Sequence, residues 1–395
     1  LALVQKQGSA QLWTAMVAIL GFILSLLGTF LVRSGVLISV HSFAEDPHRG
    51  IWILTLIGIY AGPALLLFVT RAQGLFHSKA TPLEVTPFEA MPLLSRGGAI
   101  LANQLILGVM LLTVLLGTLY PMALEVLGLG KISVGAPYFN QVMPWLCIPM
   151  LLFLAILPYL NWHSTRYTLT CHDILKIMAC FLISASVAWC FVGIRDHQVA
   201  WIILGVSFCA LGSTVFECYQ LWRRDHLTLS KKAMCLAHAS FLCLIISIAI
   251  SSALSVSRMV VLHPDKPYEL SQPRFTYLGS ESIQGPNYRG VRAKIKIKTK
   301  DHVWHAYSEL RHYEPSQMNL AKTAILPRPT YDIYLALGEP LKTPQATKKY
   351  QKQTISQTSW TMRIQIKPMV RGIWLSGLGM ALAGLMAWFA RRRKT

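Results

Sequence analysis

LLGTFLVRSGVLISVHSFAEDPHRG, residues 26–50, is the stretch that decides the fold. An apolar run from about Gln11 leads into it and stops at Arg33; a second opens at Ile51. Roughly 20 consecutive apolar residues are enough to cross the hydrocarbon core as a helix, so both runs read as membrane spans. The polar stretch between them is a brief loop, and it holds one imidazole, His41, at a membrane face.

Beyond this stretch the same pattern recurs. Eight candidate spans lie at about 11–32, 51–70, 98–120, 143–161, 177–194, 199–222, 233–257 and 373–390. Only 14% of the 395 residues are charged, where soluble domains carry about 25%, and mean hydropathy is +0.45. Lys and Arg collect on one side of the spans, which sets orientation. With the N-terminus inside, fourteen lie on the cytoplasmic side, including Arg223, Arg224, Lys231, Lys232 and the tail 391–394. Only Arg33, Arg49, Lys131 and Arg195 fall in short outer loops. The topology reads N-in and C-in.

That orientation puts the largest polar segment outside. In Val291–Lys300, VRAKIKIKTK, apolar Val291, Ala293, Ile295 and Ile297 alternate with basic residues, the period of a half-buried strand. Asp301-His302 reads as a turn into a partner strand at Val303–Tyr307, and Trp360–Ile366 alternates likewise. Arg274–Leu278 and Tyr331–Leu337 are weaker apolar stretches; Pro327 and Pro329 mark a loop, as does 341–357. The expected fold is mainly α, a polytopic membrane protein of about eight transmembrane helices with a small β-rich outer domain before the last helix. Residues 1–257 form the bundle of seven spans, with the His41 loop at 33–50. Residues 258–370 form the outer domain, and 371–395 the last helix and a basic cytoplasmic tail.

The formal charge of +20 raises nucleic acid as a partner, but no basic helix or aromatic-interleaved platform accompanies it. The basic face of 291–300 is either a solvated strand face or a surface for haem propionates, anionic lipid or a protein partner. The chain begins at Leu1, and Leu1–Gln11 has no cleavable signal pattern, so it reads as a fragment or the downstream product of a split gene. Of eight cysteines, seven lie in apolar spans and Cys171 in a polar loop, without CxxC or Cys/His metal spacing. They read as small hydrophobes.

Ten of the twelve histidines sit at span ends, in loops or in the outer segment, where imidazoles are ordinary. His238, in KKAMCLAHASFLC, lies six residues past Lys232, about 9 Å along a helix and inside the hydrocarbon. Ionisable residues there usually mark a ligand or a path, and neutral imidazole is a common axial ligand of haem iron. Its small neighbours Ala237, Ala239 and Ser240 admit a helix or a flat macrocycle. A haem ligand and an interhelical hydrogen bond both fit. For His41, apolar Val36, Leu37, Ile38, Val40 and Phe43 point to a loop lying along the bilayer or covering a flat apolar ligand. Arg33 is either an interfacial anchor or a charge-assisted contact for a haem propionate.

These residues lie in motifs that resemble, in order along nearly the whole chain, the C-terminal portion of the CcmF family of the haem-handling superfamily. They are GTFLVRSGVL (28–37), VHSFAEDPHRG (40–50), SRGGAILANQL (95–105), LGTLYP (116–121), KISVGAPYFN (131–140), LAHASF around His238, GPNYRG (285–290), DIYLALGEPL (332–341) and RIQIKPMVRGIW (363–374). The resemblance implies the integral-membrane subunit of the system I cytochrome c haem lyase, in the bacterial inner membrane with the β-domain in the periplasm. Its expected partners are the haem chaperone CcmE, CcmH/CcmI-type subunits, apocytochrome c, the upstream CcmF portion, membrane lipid and quinol. By position His41 corresponds to the second outer-face haem ligand, and His238 to the second transmembrane ligand of a resident haem b. The incoming haem is a transient substrate, joined to the CXXCH thiols of the apocytochrome. The Trp-rich haem platform of the family and the first histidine of each pair are not in this sequence, so each haem is expected to find one ligand here. Asn103-Gln104 stands where the family has paired asparagines. Two other readings remain: a haem exporter or secondary transporter, which would favour mid-membrane acids and broken helices, and a scaffold whose β-domain docks partners.

Overall fold

A computed structural model describes residues 11–33, 47–77, 95–130, 132, 134–160, 179, 181–186, 189, 198–264, 266–269, 273–299, 302–313, 318–341 and 358–392. Seven helices among them are long and apolar enough to cross a membrane, and with the β-domain they make a multi-span membrane protein. The expected span at 177–194 is described only at 179, 181–186 and 189, all helical. The chain divides into two compact units, residues 1–153 with 159–169, and 154–158 with 170–395.

The first unit holds α1 (Gln11–Arg33), α2 (Pro47–His77), α3 (Arg96–Val126) and most of α4 (Ala136–Ile156). Phe22 of α1 meets Tyr60 of α2 edge to face at 6.1 Å. Ser95 caps α3, its hydroxyl accepting from the Gly98 amide at 3.0 Å. Gly117 lets α3 approach α4, since a Cβ there would press on the rings of Tyr138 and Phe139. Thr29, Thr55, Thr113 and Thr118 each donate to the carbonyl four residues back. A hydroxyl satisfied within its own helix needs no water, as a lipid environment requires.

The second unit holds α5 (Gln198–Arg223), α6 (Leu229–Leu254), nine strands and α7 (Val370–Arg392). The helix expected to reach 257 stops short: α6 ends at Leu254, Ser255 caps it, and β1 (Val256–Leu262) begins at once. One sheet has the order β1-β9-β8-β7, with β7 Ala324–Pro327, β8 Tyr331–Pro340 and β9 Trp360–Pro368. The other has β2-β3-β4-β5-β6, with β2 Pro267–Glu269, β3 Arg274–Gln284, β4 Tyr288–Lys298, β5 Val303–Tyr313 and β6 Met318–Lys322. Neighbouring strands are antiparallel throughout. The inward residues of β4 are the apolar set that the alternation predicts: Ala293, Ile295 and Ile297 are fully buried against Phe275, Tyr277, Ile333, Leu335 and Met362.

Ser308 ties the sheets together. Its buried hydroxyl accepts from the Leu337 amide at 3.0 Å and donates to the Lys322 carbonyl at 3.4 Å. Gly279 sits at φ 121° where a bulge shifts the β3–β4 register, a conformation glycine adopts without steric cost. On the outer face, Glu281, Arg292, Glu309 and Lys322 stand side by side across β3, β4, β5 and β6, an alternating row of charge. Glu309 accepts from Arg292 Nε at 2.9 Å and from Arg311 Nε at 2.8 Å. Burial alone would raise its carboxyl, but the Arg311 and Arg292 hydrogen bonds win and hold it below the ordinary value.

Candidate functional site

α6 and α7 run antiparallel along a seam of small side chains. A Cβ on Gly379 would strike the Ser240 hydroxyl, and one on Gly372 the Ser247 hydroxyl. Both pairs are seven residues apart, two helical turns. Ser376 and Ala383 are buried on α7, and Ala233, Ser240 and Ser247 on α6. Lipid tails are as apolar as Leu, so helices in a membrane associate through close backbone approach, and small residues allow it.

His238 is nine residues into α6, about 14 Å from its polar end and roughly a third of its length. It shares a face with Cys235 and Leu242, three residues before and four after, both buried. Cys235 lies within hydrogen-bonding reach of Cys218 on α5. His238 itself is half-buried, as are Ala237 and Ala239. No hydrogen bond to its imidazole is made by another described residue. An imidazole two residues from Ser240 does not point along the same seam, since two residues turn a helix by about 200°. Among the described residues neither ring nitrogen of His238 is engaged, and its neighbours along the helix on that face are Cys235 and Leu242.

Of the other expected site residues, Arg33 closes α1, and His41 lies outside the described residues, as do Cys171, Cys180 and Cys190. No disulfide joins the five described cysteines. No group of three or more His, Cys, Asp or Glu suited to a metal ion occurs among the described residues. On α3 the amide oxygens of Asn103 and Gln104 are shielded and find no partner among the described residues. The α6–α7 seam and the Glu309 cluster are not in the sequence reading. The seven-residue spacing of Ser240/Ser247 and Gly372/Gly379 is the signal that marks the seam.

Residues 253–368 match the family described as CcmF C-terminal beta-sandwich. The Cytochrome c-type biogenesis protein CcmF of Escherichia coli (strain K12) is 35% identical over 398 residues, 99% of this chain and 57% of its own length. The CcmF of Pseudomonas aeruginosa is 34% identical, with 99% and 57% covered. The Cytochrome c-type biogenesis protein CycK of Rhizobium meliloti is 30% identical, with 98% and 56% covered. A solved structure titled Cytochrome c Heme Lyase CcmF shares the fold, with a TM-score of 0.68 at 20% identity, over 98% of this chain and 56% of that one. The chain thus spans a little more than half the length of these relatives. Residues 253–368 thus carry the CcmF C-terminal beta-sandwich, and the chain as a whole is similar along nearly all of its residues to the CcmF cytochrome c-type biogenesis proteins.

Proposed function

We propose that the chain is the part of a system I cytochrome c haem lyase that holds one axial ligand for each of two haems. His238 of α6 ligates a resident haem b within the membrane, and His41 ligates the haem that CcmE delivers at the outer face. Arg33, at the mouth of α1, pairs with a propionate. The observation that carries the reading is His238: an imidazole inside a span, among alanines and without a hydrogen-bond partner among the described residues, in a chain related to CcmF along 99% of its length.

The residues present fit one axial position. The imidazole is a suitable donor, Ala237 and Ala239 keep the approach open, and the second ligand is supplied by the part of the relatives that this chain does not span. When bound, the resident haem would carry electrons from quinol to the incoming haem, which must be ferrous for a stable thioether. The side chains of the protein would orient and keep dry: His238 and His41 would hold the haems, and apolar residues would exclude water while a thiol of the apocytochrome adds across a vinyl group. CcmH/CcmI-type subunits would present those CXXCH thiols, with the β-domain on the periplasmic side of the inner membrane.

The test is the absorbance spectrum of the chain purified together with the upstream CcmF portion. A low-spin b-type Soret and α-band is expected. His238→Ala should abolish it; His41→Ala should spare it but stop transfer of haem from CcmE. A spectrum unchanged by His238→Ala would overturn the ligand assignment.

A further inference from the structure

The sandwich is joined to the membrane helices by very short links. β1 starts two residues after α6 ends, and Met369 alone separates β9 from α7. Met369 adopts φ 59°, and its amide bonds the Thr330 carbonyl at 3.0 Å. The β7–β8 turn is thereby pinned beside the start of α7. Two residues from Thr330, the Arg328 guanidinium covers the Trp304 ring at 4.1 Å. Trp304 is the second residue of β5 and pairs with Ile297, beside the Lys298–Val303 pair. The end of β4, the start of β5 and the β7–β8 turn therefore lie together at the helix-proximal end of the sandwich.

Among the described residues basic side chains are in excess there; Asp332, the acid beside Arg328, is buried and accepts from the Arg328 amide at 3.3 Å. Further along the same outer face, Arg292 has Glu281 and Glu309 as its cross-strand neighbours. Toward the helices, Lys296 is flanked by Thr276 and His305, and exposed Lys298 by Arg274 and Val303. Arg274 already has Glu269 as its salt-bridge partner. Arg371, in the first turn of α7, is exposed, and Trp374 one turn on is 73% exposed. Aromatic rings at this depth are typical of the headgroup level.

We propose that this end of the sandwich is a collar for anionic lipid: Lys296, Lys298, Arg328 and Arg371 engage headgroup phosphates at the face where α6 and α7 emerge. The proposal rests on these helices spanning a bilayer but not on either haem assignment. Basic residues this close to the bilayer gain most where its surface is negative, and the short links hold the collar at that height. Trp304 closes the end of the core beneath Arg328, and Trp374 marks the level of the headgroups.

The full chain in nanodiscs of phosphatidylcholine, with or without phosphatidylglycerol, tests this by amide hydrogen exchange. With phosphatidylglycerol, the end of β4, the start of β5 and the β7–β8 turn should exchange about tenfold more slowly. The protection should vanish at 1 M salt, where screening extends over only about 3 Å. Lys298→Gln/Arg328→Gln/Arg371→Gln should remove it while leaving exchange of the β4 and β8 core amides unchanged. Equal exchange in both lipids overturns the proposal. So does protection that appears only when a poly-glutamate peptide is added, which would give the collar to an acidic protein. The lipid and salt comparisons use the unmodified chain, so they decide the matter even if the variant folds poorly. Loss of protection along α6 and α7 in both lipids would instead overturn the spanning assignment.

Discussion

Inside the sandwich, contact is made by large side chains: Phe275, Tyr277, Ile295, Leu335 and Met362 are wholly or almost wholly buried. Where α6 meets α7 in the same unit, contact is made by Ser240, Ser247, Gly372 and Gly379, while Trp374, Leu378, Leu382 and Leu385 stay outside. Water drives large apolar groups inward. Lipid supplies no such drive, so the bulky groups of α7 stay out and its backbone contact with α6 falls to the smallest residues. One chain thus builds two contacts by different rules, and the same substitution should have unequal consequences in the two places.

The largest difference is expected from truncating an aliphatic side chain. Ile295→Ala should cost the sandwich about 2–5 kcal/mol, read from denaturant-dependent exchange of the β4 amides. Leu382→Ala, at a position 56% exposed on α7, should leave helix association unchanged. A comparable loss at Leu382 would mean that this face of α7 packs against protein.

Next comes charge. Glu309→Ala should destabilise the sandwich by about 1–3 kcal/mol, because Arg311 keeps a part-buried guanidinium without its acceptor. The carboxyl of Glu309 is held below its ordinary value of 4.5, so the unfolded chain takes up its proton first as the pH falls. The stabilisation is then complete above 4.5 and is lost as the pH drops below it. Thermal melts of the full chain across that range should show the loss, and Glu309→Gln should flatten it.

The smallest effect belongs to the seam. Gly379→Ala should weaken α6–α7 association by about 1 kcal/mol, since the flexible hydroxyl of Ser240 can turn aside. Adding Ser240→Ala should restore most of it, a coupling visible in a double-mutant cycle. Absence of coupling would sever the contact inferred between these two positions.

Legibility in the sequence follows the same two rules. Helices in lipid announce themselves by long apolar runs, and β4 and β9 by alternation, because each side chain answers to one solvent. β1 is hidden because SSALSVSRMVVL (251–262) prolongs the apolar run of α6, with no Gly or Pro where the helix stops. β6 and β7 are hidden by their brevity, five and four residues. His238 stands out as an ionisable group among apolar ones. The Glu309 cluster could not be read, because Arg292, Glu309 and Lys322 become neighbours only once three strands pair in register.

The strand pair β1–β9 has a mechanical consequence. β1 follows α6 and β9 precedes α7, and the two strands are zipped residue by residue from Val256–Ile366 to Leu262–Trp360. Helices and strands therefore form one long hairpin with a stiff upper half. Sliding either helix past the other by a turn would shear that whole ladder, so piston movement is blocked. The pair can only lean as a single lever, and any tilt imposed in the bilayer is delivered undiminished to the far tip of the sandwich.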